Sequence, residues 1–257
     1  MCSRFLSAAA LACVAATAGA AELRVCADPD NLPYSRADGS GFENKLASLV
    51  AAATKRELRY YWLPDRRGFL RKTLGERHCD VVVGVVADTD RAATTPPYYR
   101  ASWVLASRRA LDVRSLYDPR LATLRIGVPL GGEQTPALAL AERGIVDNVV
   151  GFAPFDARPV GERMIAALDA GTIDVALLWG PQAGYFAGRA VHPIGLAPVA
   201  DADPLRSTFA IAMGVRRGDE ALRDELARAL ATLAPDIDAL LLAYRVPVLP
   251  LAAGAAR

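Results

Sequence analysis

Two short stretches decide the fold: residues 22–27, with the sequence ELRVCA, and residues 79–86, with the sequence CDVVVGVV. Both are apolar runs of strand length, and the second is rich in valine, which favours β-strands. Between such runs, apolar residues recur at helical spacing, and this alternation predicts a parallel sheet flanked by helices. The predicted helix faces are Leu46, Leu49, Val50 and Ala53; Val160, Met164, Ile165 and Leu168; and Leu222, Leu226, Ala229, Leu230 and Leu233.

The alternation continues along most of the chain. Strands are predicted at 22–27, 57–63, 80–86, 101–107, 124–128, 149–153, 174–179 and 208–215. A charged, turn-rich stretch at 108–123 separates two strand–helix series, and a second break lies near 200–206. We therefore expect an α/β protein of two doubly wound lobes with a cleft between them. Lobe one would comprise 21–105 plus 207–257, and lobe two would comprise 106–206.

Composition narrows the function classes. The chain has 257 residues, of which 53% are apolar and 23% charged. This composition is typical of a globular protein, and it excludes an intrinsically disordered chain and a coiled coil. Thirty basic residues nearly balance 28 acidic ones, and no stretch concentrates lysine or arginine as a nucleic-acid surface requires. We expect no nucleic-acid partner.

The N-terminal residues indicate export. Arg4 supplies a positive charge, Leu6 to Ala16 is apolar, and Ala18 to Ala20 consists of small residues, which is the pattern of a cleaved secretory signal over residues 1–20. No later stretch has the length of uninterrupted apolar residues that a membrane span needs. We expect a periplasmic protein without a membrane anchor.

Two cysteines follow the predicted signal, Cys26 and Cys79. An even number of cysteines in an oxidising compartment favours a disulfide. Each cysteine is assigned to a strand, and these would be the first and third strands of a doubly wound sheet, which lie side by side. A redox or metal pair is the alternative, but no C-x-x-C spacing or histidine cluster supports it.

Residues for catalysis are scarce. The chain has two histidines, His78 and His192, and lacks the H-E-x-x-H, G-x-S-x-G and phosphate-loop motifs. We therefore expect no enzyme activity, no cofactor and no metal site. Asp28 and Glu43 could face each other across a cleft rim, but Glu43 also fits the first turn of a helix, and that interpretation is favoured.

Binding residues are expected where strands end, because ligands of such sheets sit beyond the carboxyl ends of the strands. Trp179 to Phe186 is predicted to be an aromatic, glycine-rich loop suited to a protein partner or an apolar ligand, unless its rings simply pack inside the lobe. Arg66 and Arg67 are either solvated charges or contacts to an acidic partner. The candidate cleft residues are Asp28, Asn31, Tyr34, Glu43, Arg66, Arg67, Phe69, Arg91, Trp179, Gln182, Tyr185 and Phe186.

Several segments, in order, resemble the J proteins of bacterial methanol-oxidation clusters (MxaJ/XoxJ type). They are 23–35 with 41–45, 66–69 with 73–74, 79–85, 97–100, 144–151 and 174–186. The resemblance spans most of the chain after residue 20. It implies a type II periplasmic-binding-protein fold and a non-catalytic protein that assists a periplasmic methanol dehydrogenase dependent on pyrroloquinoline quinone. That dehydrogenase is expected to be lanthanide-dependent, with its cytochrome c as a further candidate partner.

The chain departs from amino-acid-binding proteins of similar fold, which hold the ligand carboxylate with an arginine after the third strand and the ammonium with an aspartate in lobe two. Here Arg91 lies near the first position in a segment of altered length, and Trp179-Gly180-Pro181 occupies the second. An amino acid would leave its ammonium buried and unpaired, which is unfavourable. We expect a monomer that binds a dehydrogenase through its cleft; the alternative is the solute-binding component of an ABC importer for a small organic ligand.

Overall fold

The computed structural model describes residues 21–87, 89–131, 136–154, 156, 158–199 and 206–251. The expected signal, residues 1–20, lies outside the described residues, as does Thr135, whose place before Pro136 in the sequence is typical of a helix cap. A helix begins at Pro136, and the turn that follows it contains Gly144, whose N–H donates to the Ala141 carbonyl at 2.9 Å.

Twelve strands and six α-helices form the described part of the chain. The strands are β1 (Glu22–Ala27), β2 (Asp30–Asn31), β3 (Ser35–Arg36), β4 (Glu57–Trp62), β5 (Val81–Val86), β6 (Ala93–Thr94), β7 (Tyr99–Arg108), β8 (Ile126–Pro129), β9 (Val149–Phe152), β10 (Val175–Trp179), β11 (Ile194–Pro198) and β12 (Thr208–Val215). The helices are α1 (Phe42–Ala53), α2 (Pro136–Ala141), α3 (Val160–Ala170), α4 (Gly180–Ala187), α5 (Glu220–Thr232) and α6 (Ala234–Ala243), with a π-helix at Arg71–Gly75 and a 3₁₀ turn at Pro119–Ala122.

The eight predicted strands are all present, with small shifts at their ends. The prediction of a loop at 179–186 is wrong, because Gly180–Ala187 forms helix α4 with Pro181 in its first turn, where a proline needs no N–H partner. The strand assigned to Cys79 is also displaced, because β5 begins two residues later. The sequence pattern missed β2, β3, β6 and β11, which are short or edge-paired.

The sheet runs in the order β4-β1-β5-β12-β7-β10-β8-β9, with β11 beside β7. Strand β7 is common to both halves of the sheet. Its start, Tyr99–Ser102, pairs with β12, whereas Trp103–Arg108 pairs with β10 and β11. The carboxyl ends of β1 and β10 therefore approach the point where the two halves meet.

Separate apolar cores lie on either side of this junction. Helix α1 buries Phe42, Leu46 and Val50 in a cluster with residues of β1, β5 and β12. Helix α3 buries Met164, Ile165 and Leu168 against residues of β7 and β10, which confirms the predicted apolar face. The lobe boundaries at 105–106 and 206–207 remain a prediction.

The C-terminal segment ties the two sides together. Tyr244, directly after α6, lies 5.9 Å from the ring of Phe42 in α1 and 5.8 Å from the ring of Tyr185 in α4. Its hydroxyl donates to the carbonyl of Ser40. Gly184 leaves the space that the backbone of Arg245 occupies against α4.

The disulfide predicted between Cys26 and Cys79 is present, with Cα atoms 5.5 Å apart and a separation of 53 positions in sequence. It ties the end of β1 to the segment entering β5, and these two strands pair in parallel through Val25 and Val81. Both cysteines are buried beside Phe69 and Leu74. The bridge therefore stabilises the strand pair from which the cleft loops extend.

Replacing both cysteines by alanine should lower the free energy of unfolding by about 4 kcal/mol, because a closed loop of this length restricts the unfolded chain. Urea denaturation of the oxidised protein measures the change. Fully reduced wild-type protein is the matched control and should unfold like the variant. A loss below about 1 kcal/mol would contradict a stabilising role.

Candidate functional site

A cavity of about 190 Å³ lies where the two halves of the sheet meet. We call it the acidic cavity because three carboxyl side chains line it and no lysine, arginine or histidine does. Its lining residues are Cys26, Ala27, Asp28, Asn31, Tyr34, Ser35, Glu43, Asp65, Phe69, Val82, Gly84, Tyr99, Trp179 and Ile211. The end of β1, the loop after β4, strand β5 and the last residue of β10 supply half of them, which agrees with a site near the carboxyl ends of strands.

Glu43 occupies the first turn of α1, as the favoured interpretation predicted, and its carboxyl also faces the acidic cavity. The carboxyl lies over Gly84 of β5, where a Cβ atom would collide with Glu43 Oε1. Removal from water, and secondarily the charge of Asp65, raises the pKa of Glu43 to about 8. The helix N-terminus favours the ionised form, but the loss of hydration outweighs it.

Asp28 fixes the loops around the cavity. Its Oδ1 accepts a hydrogen bond from the N–H of Asp30 at 2.8 Å, and its Oδ2 accepts one from the N–H of Asp65 at 2.6 Å. The loop after β1 is thereby tied to the loop after β4. Loss of solvent around its carboxyl, with the nearby charge of Asp28, raises the pKa of Asp65 to about 6 although its loop is exposed.

Aromatic rings form much of the remaining wall. Trp179 ends β10 and makes edge contacts with Trp103 at 6.0 Å and Phe209 at 5.6 Å. The ring of Tyr34 lies 5.6 Å from that of Phe42. Burial raises the pKa of the Tyr34 phenol well above 10, so its hydroxyl stays protonated near neutral pH. Trp179 therefore packs against neighbouring rings and also lines the cavity. Both interpretations of this residue, as a packing residue and as a binding residue, agree with its position.

The two halves of the chain also face each other across a second space, the cleft mouth, with a volume of about 230 Å³. It shares Asp28, Asn31 and Asp65 with the acidic cavity, so the two spaces adjoin. Both signs of charge are present in it. Its lining residues are Asp28, Pro29, Asp30, Asn31, Pro64, Asp65, Arg66, Pro154, Asp156, Arg158, Pro159, Val160 and Gln182.

A third space, the arginine groove, has a volume of about 730 Å³ and lies beside the acidic cavity on the first half of the chain. It combines four arginines with an apolar floor. Its lining residues are Asp65, Arg66, Arg67, Gly68, Phe69, Leu70, Arg71, Val82, Gly84, Val85, Val86, Thr89 and Arg91. Arg91 lines this groove and not the acidic cavity. It is therefore not placed to bind the carboxylate of a ligand inside that cavity.

Tyr185 and Phe186 line neither the acidic cavity nor the cleft mouth, and instead border a separate space of about 360 Å³ with Leu32 and Arg189. Both are buried on α4, with 8% and 6% of their surfaces exposed, in a cluster with Met164 and Leu168 of α3. The amphipathic spacing of α4 turns these rings toward the core, as the packing alternative proposed. Gln182 alone of this helix lines the cleft mouth.

The predicted cleft residues omit several residues of the acidic cavity, and among these are Asp65, Gly84 and Tyr99. Asp65 comes shortly after the strand predicted at 57–63, and this position at the carboxyl end of a strand could have indicated a site residue. Gly84 interrupts a run of valines, and a glycine inside a strand often marks the close approach of another group. Nothing in the local pattern distinguishes Tyr99 from its neighbour Tyr98.

The two histidines lie outside these spaces. His78 stacks on Tyr61 with ring centroids 4.4 Å apart, and the ring of His192 is hydrogen-bonded to Asp169 at 2.6 Å. Among the described residues, no group of three or more histidine, cysteine, aspartate or glutamate side chains is arranged to hold a metal ion. In the same part of the chain, no helix is long and apolar enough to cross a membrane.

Comparison with known proteins decides the family. No family model matches the chain. Protein MoxJ of Methylorubrum extorquens strain AM1 is 34% identical over 256 residues, covering 92% of this chain and 84% of that protein. The chain belongs to the MoxJ family. The J-protein resemblance predicted from the sequence is thereby confirmed.

Solved structures confirm the fold. The periplasmic binding protein XoxJ from Methylobacterium extorquens AM1 is 38% identical, with a TM-score of 0.76 over 89% of this chain and all of that one. MxaJ from Methlophaga aminisulfidivorans MPT is 26% identical, with a TM-score of 0.78 over 88% of this chain and all of that one. This member of the MoxJ family therefore has the predicted periplasmic-binding-protein fold.

Gly84→Ala should lower the free energy of unfolding by about 1 kcal/mol, because the added methyl group displaces the end of the flexible Glu43 side chain. In a Glu43→Ala background the same change should have no measurable cost, since the colliding atoms are gone. Urea denaturation of the four proteins of this double-mutant cycle measures the coupling. Equal costs in both backgrounds would show that the carboxyl does not lie over Gly84.

Proposed function

We propose that this protein is a non-catalytic periplasmic accessory protein that binds a methanol dehydrogenase dependent on pyrroloquinoline quinone and assists its maturation or activation. The observation that carries the proposal is the pair of adjoining spaces between the halves of the chain. The cleft mouth presents charges of both signs and prolines from both halves, a mixed surface suited to a polypeptide. The acidic cavity behind it is too small for a sizeable metabolite.

The absence of a basic side chain from the acidic cavity argues against amino-acid capture. A bound amino acid would place its carboxylate beside Asp28, Glu43 and Asp65 with no lysine, arginine or histidine among the lining residues to pair it. A carboxylate without a cation to pair it is unfavourable in a space with little water, and the ionised carboxyls of the cavity add repulsion to that cost. This weakens a role in amino-acid import, and the solute-binding component of an ABC importer for another small organic ligand remains the alternative.

The same charges oppose carriage of the quinone itself. Pyrroloquinoline quinone bears three carboxyl groups, so the acidic cavity offers it repulsion rather than pairing. In this proposal the quinone belongs to the dehydrogenase, and the accessory protein has no cofactor of its own. The dehydrogenase is proposed to be lanthanide-dependent, and its cytochrome c is a second candidate partner.

The family supports a periplasmic location. XoxJ is described as a periplasmic binding protein, and residues 1–20 of this chain have the pattern of an export signal. We propose that the protein acts as a periplasmic monomer. The candidate contacts to the dehydrogenase are Asp28, Asn31, Arg66 and Gln182 at the cleft mouth, with Arg67, Phe69 and Arg91 in the adjoining arginine groove.

Isothermal titration with the cognate dehydrogenase, with and without its quinone, tests the proposal. Wild-type protein should bind at least one of the two forms. Arg66→Glu reverses a charge at the cleft mouth and should weaken binding at least ~10-fold. Arg114→Glu is the matched control, because Arg114 is exposed and lines none of the three spaces described above.

No binding of either dehydrogenase form would contradict the proposal. Thermal-shift screening of small metabolites then tests the importer alternative. A specific solute at 100-fold excess over its Kd should stabilise the protein by about 2.7 kcal/mol. Such a solute, without dehydrogenase binding, would replace the accessory role with transport.

A further inference from the structure

The acidic cavity contains a half-buried acid. The carboxyl of Glu43 has no hydrogen bond or ion pair to any other described residue, and it faces the cavity. Its neighbour Asp28 differs, because two backbone N–H groups satisfy that carboxylate. A half-buried carboxyl that faces a cavity and has no protein partner is available to a ligand in that cavity.

A glycine in strand β5 provides the space for the Glu43 carboxyl, and apolar packing is lost at that position. Glycine at position 84 leaves a gap in a strand that is otherwise valine, and the Glu43 carboxyl fills that gap. Aliphatic side chains at both positions would bury more apolar surface and leave no unpaired group. The arrangement thus presents a carboxyl to the cavity although a purely structural core would not require one.

Aromatic rings surround the space that the carboxyl faces. Tyr34, Tyr99 and Trp179 all line the cavity, and Phe69 closes another part of its wall. The faces of aromatic rings attract cations, and the attraction strengthens when the cation is removed from water. A carboxylate together with aromatic walls is the chemistry that binds organic ammonium groups.

We propose that the acidic cavity is a binding site for a small organic ammonium group, with Glu43 as its counter-ion and the aromatic rings as its walls. The volume of about 190 Å³ suits a short alkylammonium rather than a larger metabolite. The group can belong to a free amine or to a lysine side chain of a docked polypeptide. The inference goes beyond the proposed docking, because the cavity can hold a free amine with no dehydrogenase present.

The groups that face Glu43 allow it to act as the counter-ion. From neighbouring elements these are the phenols of Tyr34, Tyr60, Tyr98 and Tyr99 and the carboxyl of Asp65, with Asp28 adjoining Asp65. The phenols stay protonated because burial raises their pKa values. An ammonium group favours the ionised form of Glu43, so binding should release a proton below pH 8.

Nuclear magnetic resonance with n-butylammonium chloride tests the inference on the wild-type protein at pH 8. The indole N–H of Trp179 should shift with added amine, whereas that of Trp62, which does not line the cavity, should not. n-Butanol and sodium butyrate are matched probes, and each should bind at least ~10-fold more weakly than the amine. Lowering the pH from 8 to 6 should weaken amine binding at least ~5-fold, because Glu43 becomes protonated.

Glu43→Gln keeps the shape of the side chain and removes its charge, so amine binding should weaken at least ~10-fold while the circular dichroism spectrum is retained. Glu142→Gln, at an exposed carboxyl outside the cavity, is the control and should bind as wild type does. Equal binding of amine and butanol, or unchanged binding by Glu43→Gln, would overturn the inference.

A second titration identifies the source of the ammonium group. N-acetyl-lysine methylamide should bind more tightly than n-butylammonium if a lysine of a docked segment is the natural ligand, and more weakly if a free amine is; either result supports an ammonium site. Dehydrogenase binding measured with the same proteins separates the two proposals. Dehydrogenase binding without any amine binding would remove this inference alone.

Discussion

The site depends on one constraint: the carboxyl of Glu43 must fit over Gly84 with little water to hydrate it. Helix α1 fixes the position of Glu43 through the burial of Phe42, Leu46 and Val50, and the parallel strands β1 and β5 fix the position of Gly84. The disulfide secures those strands to each other. A carboxyl held in this way keeps its proton to higher pH than a free glutamic acid, because desolvation penalises the charged form.

The long strand β7 connects the two halves of the sheet next to the acidic cavity. Its first residues pair with β12 and its last residues pair with β10, so Tyr99 and Trp179 reach the same cavity from different halves. Asp28 ties the loops at the cavity entrance. The result is an acidic space behind a mouth of mixed charge, which differs from the paired cation and anion that a zwitterion requires.

The sequence was sufficient to predict most of the fold because the apolar periodicity in each strand and helix agrees with the packing found. It was insufficient for α4, because glycines and a proline in 180–184 are typical of loops, whereas here Gly180 and Gly184 permit close packing against neighbouring backbone. Glu43 was placed in the correct helical turn, but its contact with Gly84 joins residues 41 positions apart and no local pattern encodes it. The burial of Tyr185 and Phe186 likewise depends on tertiary packing with α3.

Carbon-13 detected titration of labelled glutamate carboxyls tests the central claim most directly, because it reports the ionisation of Glu43 itself. The account predicts that the Glu43 resonance titrates with a pKa of about 8, well above the exposed glutamates. A value near the ordinary 4.5 would show that water or a hidden partner satisfies the carboxyl, and it would contradict the picture of a shielded acid awaiting a cation.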